Sequence, residues 1–326
     1  RSTLMRSSAA SDVYKRQLQM YVTEEEGKRL SFNYSFKQSF YRDPKRSHGM
    51  PEYIVVSEFM KSDDTHRQVG LEILTYLRQF CFATRDMLGT MLATKGLEVS
   101  ILDEILELYV DKYLINFFTI AKYDMGEVPP DAMKIYCLDS GAVFILTHFS
   151  TTDSISWLSS DNIRSVELVT KYLATGLFAS TLVQNKGKAV NTFIPVFDAS
   201  IGKRMIRFSA TFTVMNGFTP LNYVLETVRS YDLPGPWMKK CGEQISVFSN
   251  GRHWQKYFDQ EPGYVLLCES EEVALEAATI LARGMDQQEI RLITDDYFNG
   301  DPNSVFEFDR ENKKLVPIHD KTFFAG

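Results

Sequence analysis

Glu226 lies inside the apolar run Tyr223–Val228. A carboxylate there is costly unless something pairs with it. One chemistry would use that acid: Mg²⁺ held by several oxygen donors, with a nearby lysine activating water for phosphodiester cleavage. Asp198 and Asp232 are the candidate further donors, and Lys239 is the candidate activating cation. A single carboxylate holds Mg²⁺ poorly, because the ion wants near-octahedral oxygen ligation. The preferred reading is therefore a buried network in which Glu226 pairs with Arg229 or a lysine, since Val224 and Val228 share its strand face. A second constellation gathers Lys239, Lys240, Arg252, His253 and Lys256 with Trp237 and Trp254. Basic and aromatic side chains together suit nucleic-acid backbone contact and base stacking, and Arg229 is grouped with them. Solvated loop charge is the plain alternative. Asp295 and Asp296 read as a strand terminus.

The elements that must position these residues follow from hydrophobic periodicity. In the second half of the chain, Asn191–Phe197 and Lys203–Met215 read as a hairpin turning at Asp198–Gly202, and Tyr223–Val228 as a third strand. A helix over Trp237–Ser249 follows Pro234-Gly-Pro236. Tyr264–Leu267 reads as a buried parallel strand. Ser270 caps a helix through Ala282, with Glu271 and Glu272 in its first turn. Ile290–Thr294 is the next strand. Alternating strands and helices imply right-handed crossovers and a parallel core. A helix from Ser165 to Gln184 precedes this domain.

In the first half, Val69, Ile73, Leu77 and Phe80 recur at helical spacing. Thr84 reads as the cap of a second helix ended by Gly96. Ser100 with Asp103 reads as a capping box for a third. The β-like runs Leu114–Ile120 and Lys134–Leu138 flank a turn-rich insert, DMGEVPPDA. Three helices and a hairpin make a winged-helix arrangement. Its third helix carries Asp103, Glu104, Glu107 and Asp111 against Lys112 alone, which opposes phosphate contact. That favours protein docking or dimerisation, with the wing or the cluster Arg42, Lys45 and Arg46 as the alternative DNA contact. YIVVSEF at 53–59 reads as a strand.

Residues 1–17, RSTLMRSSAASDVYKRQ, resemble a translated sequencing adaptor and are expected to lie outside the natural chain, which points to a metagenomic or draft-assembly bacterial origin. They carry four basic residues and one acid; without them 32 basic and 41 acidic residues remain, a net charge of −9 rather than −6. An acidic chain must concentrate positive charge locally to hold DNA. Apolar content of 44% supports packed cores. No run approaches the roughly 20 apolar residues of a membrane span, so no membrane partner is expected. The four dispersed cysteines fit buried thiols in a reducing cytoplasm. The five scattered histidines give no zinc spacing.

The order of elements resembles the replication-relaxation family of Gram-positive mobile elements, which pairs a winged helix with a restriction-endonuclease-like domain of the PD-(D/E)XK type. The resemblance covers roughly residues 67–298. The family's arginine-proline-aspartate falls on Arg207, Phe208 and Ser209, so the metal-binding aspartate is missing. Its Glu-x-Asp-Arg-like motif falls on Glu226, Thr227, Val228 and Arg229, so the middle acid is gone. Trp237, Lys239 and Lys240 fit the basic, aromatic start of the following helix.

The resemblance implies an α+β or α/β protein: an N-terminal winged helix-turn-helix domain over 67–150, then a restriction-endonuclease-like mixed-sheet domain over 186–310. An extension (18–66), a linker with connecting helix (151–185) and a tail (311–326) complete the division. The implied role is that of a cytoplasmic accessory protein of a plasmid or conjugative element, without catalysis or a cofactor. It would bind DNA or replication and transfer proteins, and could form a homodimer through the winged helix. The alternatives are an active Mg²⁺-dependent nuclease using Glu226, and a protein-docking scaffold.

Overall fold

The computed structural model describes residues 20–30, 32–46, 49–150, 157–282 and 290–324; residues 1–17 lie outside these. Residues 18–66 are no mere extension: Lys37–Phe40 forms β1, and Val22, Leu30, Phe32 and Phe36 join the core. The 53–59 run is a helix, α1 (Glu52–Lys61), not a strand. Val55 and Phe59 sit four apart, so a helix buries both on one face, where Phe59 meets Phe149 at 5.2 Å.

α2 (Asp64–Phe80) buries the expected stripe of Val69, Ile73, Leu77 and Phe80. β2 (Ala83–Thr84) leads into α3 (Arg85–Thr94), capped by Thr84, which accepts from Met87 N at 3.3 Å. Gly96 takes φ +69°, the left-handed conformation that closes a helix. The predicted Ser100 cap fails. α4 (Leu102–Asp111) starts beyond Ile101 without a side-chain cap. Ser100 binds Glu98, and Asp103 is held in a two-point ion pair by Arg85 at 2.7 and 2.9 Å. β3 (Ile115–Ala121) and β4 (Ile135–Leu138) pair antiparallel, and the sheet order is β1–β3–β4–β2. α5 (Ser140–Phe149) follows. Arg42 is structural rather than part of a free basic cluster. It donates to the carbonyls of Val110 (2.6 Å) and Ile115 (2.7 Å) and pairs with buried Asp139 at 3.0 Å.

α6 (Val166–Lys186) carries the fold's central packing. It is the one helix among the described residues long and apolar enough to cross a membrane, yet 67% of its apolar window is buried inside the protein. A helix apolar on most sides belongs in a core, and α6 lies between α3 and the second sheet, more than a connecting helix. That sheet is mixed, in the order β11–β10–β9–β8–β7–β6–β5. Its strands are β5 (Val190–Ile201), β6 (Arg204–Asn216), β7 (Thr219–Val228), β8 (Gly263–Cys268), β9 (Ile290–Thr294), β10 (Val305–Asp309) and β11 (Lys314–Pro317). β7, β8 and β9 run parallel, as the alternation of strands and helices predicts, and the outer strands are antiparallel. α7 (Trp237–Asn250) and α8 (Glu271–Leu281) pack on one face, forming a second core with Phe208, Val224, Val228 and Leu266. The other face joins α6 and the first half of the chain in one continuous core. The predicted tail, 311–326, is corrected too: it supplies β11, and Phe323 is fully buried.

Candidate functional site

The hairpin β5–β6 turns at Gly202, where φ is +59°, and not at Asp198. Asp198 is therefore a strand residue, facing Arg207 across the ladder. Arg207 donates to both its oxygens at 2.7 Å, holding the carboxyl below its usual range.

The ladder shifts register between Val190 and Thr192 and is interrupted again near the site. Pro195 faces Ala210 and Phe197 faces Phe208, but Val196 and Ser209 between them do not pair. Val196 has φ +55°, a strained conformation for a β-branched residue. The strand changes face there. Phe193 packs on the first core and Phe197, four residues on, lies in the second, whereas a regular strand would put both on one face. Ser209 is thereby released from the ladder and serves Glu226. Its backbone N donates to Glu226 Oε2 at 3.0 Å and its hydroxyl to Oε1 at 3.1 Å. The same hydroxyl accepts from Thr227 N at 3.0 Å.

Glu226 is 8% exposed. Burial lifts its carboxyl from 4.5 to about 7, against the opposing pull of Lys171 and the Ser209 hydrogen bonds. It lines a cavity of about 270 Å³ with Lys171, Tyr172, Ser209, Trp237 and Lys240. Lys171, on α6, is the residue that sequence reasoning missed. Its ammonium lies 2.9 Å from Asp232 Oδ2 and 3.6 Å from the centre of the Trp237 ring. The signal was present: a lysine inside the apolar run Val166–Ala174 needs a partner as much as Glu226 does. Asp232 is buried and also accepts from Arg229 N at 2.9 Å. Burial raises its carboxyl, opposed by Lys171.

The expected partnership of Glu226 with Arg229 does not form. Three residues apart on a strand, they point to opposite faces. Arg229 is completely buried and pairs with Asp295 at 2.6 Å, so it cannot contact nucleic acid, and Asp295 does more than end a strand. The other basic residues are divided. Lys239 and Lys240 are exposed at the start of α7, and Arg252 and Lys256 beyond its end. At 1.5 Å per residue the helix runs about 15 Å from Lys240 to its end at Asn250, which separates the two pairs. His253 and Trp254 are half-buried, and Trp254 packs on the second core.

The metal expectation can be tested on the donors. Asp198 is engaged by Arg207, Asp232 by Lys171, and Glu226 by Ser209. Lys171 already supplies the positive charge beside Glu226 and Asp232, and no group of three potential metal ligands converges among the described residues. The residues present do not fit Mg²⁺. Lys239 does not line the cavity; Lys240 does.

No protein-family model and no curated protein matches the chain. Among solved structures, the restriction endonuclease FokI is similar at a TM-score of 0.28 with 9% identity, over 76% of this chain and 43% of that one. The chain thus spans less than half of that enzyme, and a likeness so slight carries no weight for fold or function.

Proposed function

We propose that this chain is a non-cleaving, DNA-associated accessory protein of a plasmid or conjugative element, acting in the cytoplasm. It would join a winged helix to a nuclease-like sheet that has lost its metal centre, as the replication-relaxation resemblance implies. The observation that carries the reading is the environment of Glu226. Ser209 occupies the position of the family's metal-binding aspartate, and Val228 that of the middle acid. Lys171, paired with Asp232, lines the cavity beside Glu226 and Ser209. The winged-helix part is supported by the order α2–β2–α3–α4–β3–β4, with β2 pairing to β4.

DNA contact falls to Lys239, Lys240, Arg252 and Lys256 rather than to α4. Asp103, Glu104, Glu107 and Asp111 are all exposed on that helix, and carboxylates repel phosphates. Its acidic face suits a basic surface on a replication or transfer protein. The test is duplex affinity against salt, with plasmid nicking scored in parallel. Each phosphate contact adds about −0.9 to the log–log salt slope, so Lys239→Ala with Lys240→Ala should flatten it by about 1.8. Mg²⁺-dependent nicking abolished by Glu226→Ala would refute the reading. A salt-insensitive interaction indifferent to both lysines would leave only a protein scaffold.

A further inference from the structure

The cavity over Glu226 is built for more than pairing its own residues. Its floor and mouth differ chemically. At the floor, each Glu226 oxygen accepts one hydrogen bond from Ser209, which leaves each a second acceptor site. Lys171 lines the same space and carries further ammonium protons beyond the one given to Asp232. The walls include Tyr172, Phe208 and Trp237. At the mouth stand Lys240, which is exposed, and Arg207, whose side chain is 66% exposed. A planar, partly apolar ligand with a polar edge turned inward and an anion turned outward matches this gradient.

We propose that the cavity binds a single guanine nucleotide, base inward and phosphate at Lys240 and Arg207. Guanine's edge offers an acceptor, O6, beside two donors, N1–H and N2–H₂. Lys171 and the two Glu226 oxygens present a donor and two acceptors, the complementary set. Adenine and cytosine present one donor next to an acceptor; Lys171 can serve the acceptor and one Glu226 oxygen the donor, but the second oxygen then goes unused, one hydrogen bond fewer than guanine makes. Protonated, Glu226 offers one donor and one acceptor and the preference for guanine disappears. The groups that face it are Arg207, itself paired with Asp198 of β5, and Ser209 from β6, Lys171 and Tyr172 from α6, Lys240 and Cys241 from α7, and Asp232 from the turn after β7. A free nucleotide and an unstacked guanine of a DNA strand share this chemistry; only the strand-bound case rests on the DNA reading above.

The experiment is calorimetric titration of the full chain at pH 6 and pH 8. The probes are GMP, AMP, inorganic phosphate, an oligothymidylate, and the same oligomer with one central guanine. At pH 8, GMP or the guanine oligomer should bind at least tenfold more tightly than AMP or the plain oligomer, with phosphate alone far weaker. The preference should shrink toward pH 6. Glu226→Gln, which puts a donor where guanine needs an acceptor, should erase the preference at pH 8 while melting no lower than the wild type. Lys240→Ala should weaken GMP but not guanosine. GMP binding without oligomer binding marks a free nucleotide, and the reverse marks a strand. No saturable binding by either guanine probe, or an unchanged preference in Glu226→Gln, overturns the proposal. Salt-sensitive duplex binding that persists in that case leaves the DNA reading intact; its loss with guanine binding retained sinks that reading alone.

Discussion

Replacing Glu226 with glutamine should stabilise the protein, and only at neutral to alkaline pH. The carboxyl ionises near 4.5 when solvated and near 7 in the fold, because burial costs the charged form more than Lys171 and Ser209 return. Below pH 4.5 it is protonated in both states and contributes no difference. Between 4.5 and 7 the unfolded chain releases the proton while the folded chain keeps it, so stability falls as pH rises. Above 7 both states are ionised, and the accumulated loss is about 3 kcal/mol at about 1.4 kcal/mol per pH unit. Glutamine removes that loss. Its carbonyl can still accept from Ser209 N, while its amide meets the Ser209 hydroxyl less well, at a cost of about 1 kcal/mol. Glu226→Gln should therefore be about 2 kcal/mol more stable at pH 8 and slightly less stable at pH 4.5. Urea unfolding followed by circular dichroism at both pH values measures the difference. A stability change independent of pH would mean that the carboxyl is not held protonated by its surroundings.

Other substitutions probe the same arrangement. Lys171→Met leaves Asp232 buried without its cation and should cost about 3–5 kcal/mol in chemical unfolding, the penalty for an orphaned buried charge. Asp198→Asn breaks a pair that is largely exposed on the Arg207 side; it should change stability by less than about 1 kcal/mol and leave plasmid DNA uncut with or without Mg²⁺. Phe323→Ala should cost about 3–5 kcal/mol in the same unfolding assay, because the side chain is fully buried and packs edge-on and tilted against Phe212 and Tyr223. A near-neutral result there would mean that the 311–326 segment is the free tail its sequence resembles.

Much of the second sheet was legible because its strands and caps obey local rules. Ser270 accepts from Val273 N, the run Gly263–Cys268 is buried throughout its length apart from its first residue, and Pro236 precedes α7. The failures have a common physical cause: tertiary contacts decide them. Five apolar residues of 53–59 suit a strand until α5 offers Phe149 on one side only. Ser100 loses its cap because Arg85 claims Asp103. Asp198 reads as a turn residue because aspartate is common in turns, but Gly202 can take the left-handed conformation at no cost and wins the turn. The site was half visible. Glu226 announced itself as a charge in an apolar strand, and Lys171 did so equally in α6 but went unnoticed inside a helix read for its apolar residues. Arg229 looked available because it follows a strand, and only the end of β9, one strand beyond β8 in the sheet, brings Asp295 to pair with it. The left-handed Val196, which frees Ser209 for Glu226, has no sequence signal, since valine is among the residues least suited to that conformation.

The central claim is that Glu226 is a buried, proton-binding carboxyl and not a metal ligand. Carbon-13 NMR of glutamate-labelled protein, with the Glu226 side-chain signal assigned by its loss in Glu226→Gln, tests it directly. A midpoint near 7 that stays put when millimolar Mg²⁺ is added is the expected result. A midpoint below 5, or one that Mg²⁺ drives down, would contradict it.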